Sequence, residues 1–437
     1  MRVLAIADSD SYVKWAAAML GRMPDEWQVS LVIMTTPKRP SAAQLEAALS
    51  GSGIHASDVA TLPFERAVTH VVSEHPDVVL VATIGPLADV VTEAVLARSE
   101  RAPVVVSGVP GIALPARRKA LIYRSQSRLI VLHSTRELRR FQEIANENHL
   151  PCEFALATLP FLADRGQGGD PNGSIVFAAQ AIVPPTRVQR VAMLRTLISF
   201  AGRYPHLRVV IKVRATGGEG QTHAEQYDYA RLLAADFNRV PANLVVEGGP
   251  MADHLRSASA LVTVSSTAAI EAVAAGIPVL IIDDFGVSAD LINEVFVGSG
   301  LLGSTADLAM RNFKHPDGEW LRDNYFHDDA DNSWVAAIDR LVEQNRAGLL
   351  PWLPRLVRGG GGELRRAWDR KRALGSADRS LIGFVALALG MPARTVVLGL
   401  HSLLRTLGEP QSPQAPLALN HAATPLGNDR EPTAHSR

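Results

Sequence analysis

A chain of 437 residues, 47% hydrophobic and 20% charged, is long enough for two globular domains, each with its own core. Equal numbers of basic and acidic residues, 44 of each, leave no formal net charge and give no support to a general nucleic-acid role. The single cysteine, Cys152, excludes an internal disulfide framework; it reads as a plain buried thiol in a reducing compartment.

The opening "MRVLAIADSD" has no long apolar core or cleavage site, so it reads as a first strand rather than a signal peptide. Strand candidates follow at 2–7, 29–34, 77–83, 103–108 and 128–133, with helical patterns at 12–20, 41–49, 63–74, 86–98 and 135–147. The strand runs are rich in Val, Ile and Leu and do not alternate, as parallel strands buried on both faces require. Ser134 and Glu137 read as a capping box, which leaves the neighbouring His133 structural. Residues 162–173, "LADRGQGGDPNG", read as a linker.

The alternation then restarts. Strands are expected at 174–179, 207–213, 243–248, 260–265 and 278–282, with helices at 187–202, 224–236, 251–258 and 267–275. The fold class is therefore α/β, with two Rossmann-like domains facing a cleft and a C-terminal helical extension. The boundaries expected are 1–162, 174–340, 341–408 for the extension and 409–437 for a disordered tail. "RGGGGELRR" is a joint, not a phosphate loop, because no strand feeds it and no P-loop Lys-Ser/Thr ending follows. No stretch reaches the roughly 20 apolar residues of a membrane span. The nearest, 381–391, is interrupted by Pro392 and Arg394, and the chain is expected to be cytoplasmic. Residues 355–405 hold ten Lys/Arg against three Asp/Glu. They read either as a contact for an anionic membrane surface or as a helix folded back across the domains.

The stretch "VTVSSTAAIEAVAAGIPVLIIDD", 262–284, carries the most chemistry. Ser265, Ser266 and Thr267 fall where a buried strand becomes a helix, at the carboxyl end of a parallel strand, where open α/β sheets bind ligands. Hydroxyls there cap the helix and can also meet an anion. Glu271 lies four residues after Thr267, out of register for a capping box, and could reach a ribose hydroxyl. In the first half, "ADSDSYVKW" places Asp8 and Asp10 after the first strand. One of them could be a general base, or Asp10 could simply cap the next helix. Gly85 in "ATIGPLAD" either admits an acceptor or only makes a turn. "TGGEGQTHAE", 216–225, could cover a donor, and "HDDADN", 327–332, could hold a cation but reads rather as a solvated loop. The scattered histidines show no metal-ligand spacing, so neither a metal nor a cofactor is expected.

"SSTAAIEAVAAGIPV" resembles the donor-binding segment of GT-B glycosyltransferases, and its paired serines resemble those of bacterial sialyl-, polysialyl- and capsule-polymer transferases. The whole chain resembles an uncharacterised actinobacterial glycosyltransferase family. The resemblance implies that Ser265, Ser266 and Thr267 hold a phosphate of a nucleotide sugar and that Glu271 holds its ribose. The sialyltransferases carry a His-Pro pair after an earlier strand, where this chain has Lys212 and Arg214. These two cations, two residues apart, could neutralise a diphosphate directly or could simply be solvated surface charge. The implied activity is metal-independent, inverting transfer of a sugar to a glycan or lipid-linked acceptor of the cell envelope. A nucleotide-sugar 2-epimerase, a polyol-phosphate transferase and a non-catalytic two-lobed binding protein are the rival readings.

Overall fold

The computed structural model describes residues 1–162, 169–213, 227–356 and 362–391. The first sheet has seven parallel strands: β1 (Arg2–Ala7), β2 (Gln28–Met34), β3 (Ala60–Leu62), β4 (Val78–Ala82), β5 (Val104–Gly108), β6 (Leu129–Leu132) and β7 (Glu153–Leu156). Their spatial order is 3-2-1-4-5-6-7. The two-residue period of a strand explains why the apolar runs do not alternate. Val3, Ala5 and Ala7 of β1 face one core with Val13 and Trp15 of helix Asp10–Leu20, while Leu4 and Ile6 face the opposite core with Val68 and Val91. Both sides of the sheet are covered, so every position must be apolar.

The second sheet has six parallel strands in the order 10-9-8-11-12-13: β8 (Ser174–Ala178), β9 (Val209–Lys212), β10 (Leu244–Glu247), β11 (Ala258–Thr263), β12 (Val279–Ile282) and β13 (Leu302–Gly303). The ten strands expected from the sequence are all present. The three that it does not announce, β3, β7 and β13, lie at sheet edges and are only two to four residues long.

After the second sheet the chain returns to the first. In helix Trp334–Arg346, Trp334, Ile338, Leu341 and Val342 form one apolar stripe that enters the first core. Arg355 then makes a two-pronged ion pair with Asp89 (2.9 and 2.7 Å). Helix Gly362–Leu374 packs on helix Gly85–Arg98, with Ala373 and Leu374 buried in the first domain and the Tyr123 hydroxyl donating to Asp369 (3.1 Å). No single helix among the described residues is long and apolar enough to cross a membrane. Residues 358–361 of the Gly-rich joint, and all of the tail from 409, lie outside the described residues; the rest of the joint begins helix Gly362–Leu374.

Candidate active site

The carboxyl edge of the first sheet holds both aspartates. Asp8 follows β1 directly and is fully buried; its carboxylate accepts from the Ser9 hydroxyl (3.0 Å) and, at 3.5 Å, from the Ile84 amide beyond β4. Burial raises it to about 6, against the lowering effect of those bonds and of Lys38. Asp10 is half-buried at the start of helix Asp10–Leu20, whose N-cap is Ser9 rather than Asp10. Gly85 begins helix Gly85–Arg98, and a Cβ there would come within 2.6 Å of the Tyr123 ring. That close approach accounts for the glycine.

Arg124 gave no signal in the sequence. It is 3% exposed, and its guanidinium donates to the Ser107 hydroxyl (3.1 Å), the Tyr12 hydroxyl (3.1 Å) and the carbonyls of Thr83 and Ala120 (3.3 Å each). It thereby draws the ends of β4 and β5 and the first helix together beneath the aspartates. Burial raises the Tyr12 phenol, with Arg124 opposing that shift.

At the carboxyl edge of the second sheet the hydroxyl trio divides into separate roles. Ser265 is 1% exposed and donates its one hydroxyl proton to the Ile292 carbonyl (2.7 Å). It fixes the loop after β12, whose Ile292 has φ 57° and whose buried Asn293 accepts from Ser288 N and donates to Gly286 O. Ser266 accepts from the Ala268 amide (3.2 Å), and the carbonyls of Ser266 and Thr267 accept from Ala269 and Ile270 (3.0 and 2.9 Å). No acceptor within the described residues is hydrogen-bonded to the amides of Ser266 and Thr267 or to the Thr267 hydroxyl. Glu271 is half-buried, one turn further along helix Ala268–Ala274. Lys212, at the end of β9, is 6% exposed and donates to Val213 O (2.7 Å). Arg214 and the loop 216–225 lie outside the described residues.

The two edges meet. Gly111, in the loop after β5, has φ 74°, and a Cβ there would lie 3.1 Å from the Thr267 methyl carbon. Beside this contact Leu114, Leu159 and Leu162 of the first half enter the core that holds Ala268, Ala269 and Ile270. Asp8 and Asp10 lie on the same edge as Gly111, two strand spacings away, or about 10 Å.

Glu137 sets this junction and is not a simple capping residue. The Ser134 hydroxyl caps its amide (3.0 Å), but its carboxylate reaches the amides of Ala113 (2.7 Å) and His133 (3.2 Å) and the Tyr325 hydroxyl (2.6 Å) instead of the Ser134 amide. The reciprocal half of the expected box is therefore missing. Burial raises Glu137 to about 7, opposed by the bond from Tyr325 and those from the Ala113 and His133 amides. Burial likewise lowers His133 to about 4; neutral, it accepts from Trp15 Nε1 (2.7 Å) and donates to Ala157 O (2.8 Å), a structural role. The 327–332 loop also joins the halves, through Asn332 and Asp329 on Thr158. Cys152 is half-buried beside Phe141, and burial raises its thiol to about 11.

A family model described as "Putative glycosyltransferase (DUF6716)" matches residues 3–341. The chain belongs to this family. No curated protein is significantly similar to this DUF6716 chain in sequence. Among solved structures, it is similar to a "putative UDP-N-acetylglucosamine 2-epimerase" of Listeria monocytogenes, with 12% identity over 82% of this chain and 99% of that one, and a TM-score of 0.51. The S. aureus protein MnaA, solved with UDP, is 11% identical over 82% of this chain and 100% of its own, with a TM-score of 0.50. The likeness is one of fold: two parallel-sheet α/β domains in the GT-B arrangement, which the DUF6716 chain completes with its C-terminal helices.

Proposed function

We propose that the protein is an inverting glycosyltransferase that moves a sugar from a nucleotide-sugar donor to a glycan or lipid-linked acceptor of the cell envelope. The observation that carries this reading is the convergence of the two sheets' carboxyl edges, with Gly111 against Thr267. The donor's phosphate lies on the turn 265–267, where the amides of Ser266 and Thr267 and the Thr267 hydroxyl, which have no acceptor among the described residues, favour an anion. Ser266 and Thr267 contact it, Ser265 holds the turn in shape, and Glu271 takes the ribose. Lys212 adds positive charge from β9, and Arg214 is assigned to the diphosphate by the sequence pattern alone.

Asp10 is the general base, with Asp8 as the second candidate. The base removes the proton of the acceptor hydroxyl. That oxygen bonds to the anomeric carbon as the bond to the donor phosphate breaks, and the nucleotide leaves with the negative charge. Catalysis rests on positioning across the cleft and on fixed donors at the leaving phosphate, not on a metal.

A thermal-shift panel of CMP, UDP, GDP, CDP and TDP tests the donor half. A nucleotide at 100 times its dissociation constant should stabilise the protein by about 2.7 kcal/mol. UDP is the first to try, because a similarly folded protein was solved with it. Product analysis with a radiolabelled nucleotide sugar separates the readings. Label transferred to an acceptor supports the transferase, whereas an epimerised nucleotide sugar without acceptor product would establish the rival enzyme.

A further inference from the structure

The C-terminal helices turn an apolar stripe outwards. Helix Leu381–Met391 leaves helix Gly362–Leu374 and its following turn at 110°. Its Ala386 and Leu387 pack on Ala367 and Trp368, and the Phe384 ring lies 3.6 Å from the Lys371 ammonium. With that side occupied, Leu381 is 84% exposed, Ile382 48%, Phe384 53% and Val385 50%. Positions i, i+1 and i+4 share one helix face. An ordinary surface helix turns such a stripe inwards.

The charge around the stripe selects its partner. Between residues 362 and 391 there are six Lys/Arg and three Asp/Glu. Arg365, Arg366 and Arg370 pair with Asp369, Glu363 and Asp378. Arg379, two residues before the stripe, and Arg372, over the Trp368 ring at 5.6 Å, are exposed and have no carboxylate partner among the described residues. Exposed apolar side chains bordered by unpaired cations complement the interface of an anionic bilayer, where the side chains enter the acyl boundary and the arginines meet lipid phosphates.

We propose that helix Leu381–Met391, flanked by Arg372 and Arg379, docks the protein on an anionic lipid surface. The docking does not depend on the transferase reading, since lipid binding needs neither donor nor turnover. The full chain should co-sediment with vesicles of phosphatidylcholine plus phosphatidylglycerol, weakly with phosphatidylcholine alone, and less as salt rises. Ile382→Asp with Val385→Asp should lower the partition coefficient at least about tenfold, and Arg372→Ala with Arg379→Ala should lower it and flatten the salt dependence. All four side chains are at the surface, so unchanged melting curves will show that the variants fold. Absence of binding to anionic vesicles, or binding that none of the substitutions alters, overturns the proposal. So does a concentration-dependent dimer that the Ile382/Val385 variant abolishes in a protein that ignores vesicles, because a second copy would then cover the stripe.

Discussion

Replacing Asp8 by Asn should stabilise the protein near neutral pH while impairing the site. Asp8 is enclosed between the ends of β1 and β4, and burial raises it from 3.8 to about 6. That shift of about two units corresponds to about 3 kcal/mol disfavouring the ionised side chain in the fold. Asn has the same shape and no charge. It can accept from the Ile84 amide and donate to the Ser9 hydroxyl, and the bonds that the carboxylate makes there are already contained in the net shift. The gain should therefore approach about 3 kcal/mol above pH about 6. The sign follows from linkage. The folded state binds this proton more tightly than the unfolded state, so the native protein loses stability as pH rises from about 4 to about 6. The variant does not titrate there, so its advantage should be absent below that window, grow through it and then level off. Urea unfolding of both proteins across the window measures this directly. A difference that does not change with pH, or an Asn variant weakest at high pH, would show that the buried carboxylate is well compensated and refute the reasoning.

Other substitutions separate binding from architecture. Asp10→Asn should lower turnover by about 10² or more with nucleotide affinity almost unchanged, as steady-state kinetics beside calorimetry will show; parallel losses would make Asp10 a structural or binding residue. Ser266→Ala should weaken nucleotide binding by about 1–3 kcal/mol in calorimetric titration. Ser265→Ala should instead lower the melting temperature, because its hydroxyl holds Ile292. Gly111→Ala combines a left-handed backbone with a Cβ pressed on Thr267, so it should destabilise the fold by about 1 kcal/mol or more in urea unfolding. Wild-type stability there would mean that the loop after β5 yields freely.

The sheets were legible because both faces of each are covered. A run such as "VVLVA" in β4 can hardly be anything but a buried strand, since every residue of it is buried. The short edge strands were not legible, since "ATL" in β3 is exposed or half-exposed and has no apolar run to announce it. The places of the candidate residues in the fold were legible, and their contacts were not. Strand-end logic places Asp8, Asp10 and the 265–267 turn on the correct edges. It does not show that the Ser265 proton goes to a carbonyl 27 residues later, that Lys212 is buried, or that Glu137 meets a tyrosine 188 residues away. Those are tertiary facts that local spacing does not encode. Arg124 is the clearest case: an arginine after a five-residue helix resembles surface, yet it donates to four acceptors, three of these bonds being buried.

The geometry of the cleft depends on the junction more than on either sheet. In the proposed reaction, two rigid sheets can bring Asp10 and the 265–267 turn to a common sugar only if their relative placement is held to within about 0.5 Å. Glu137 does much of that work, joining Ala113 beside the cleft to Tyr325 of the second half. Its carboxyl is raised to about 7, so both protonation states are populated near neutral pH. Two amides and a phenol satisfy the ionised form, and the Tyr325 hydroxyl can rotate to accept when the acid becomes a donor. The bond between the halves therefore survives the titration. The bidentate pair of Arg139 with Asp323 (2.5 and 2.8 Å) lies at the surface, two residues from Glu137 and from Tyr325, and reinforces the same junction. The distances that the proposed transfer requires would thus be set by residues assigned no contact with donor or acceptor, because only groups spanning both halves can fix one sheet against the other.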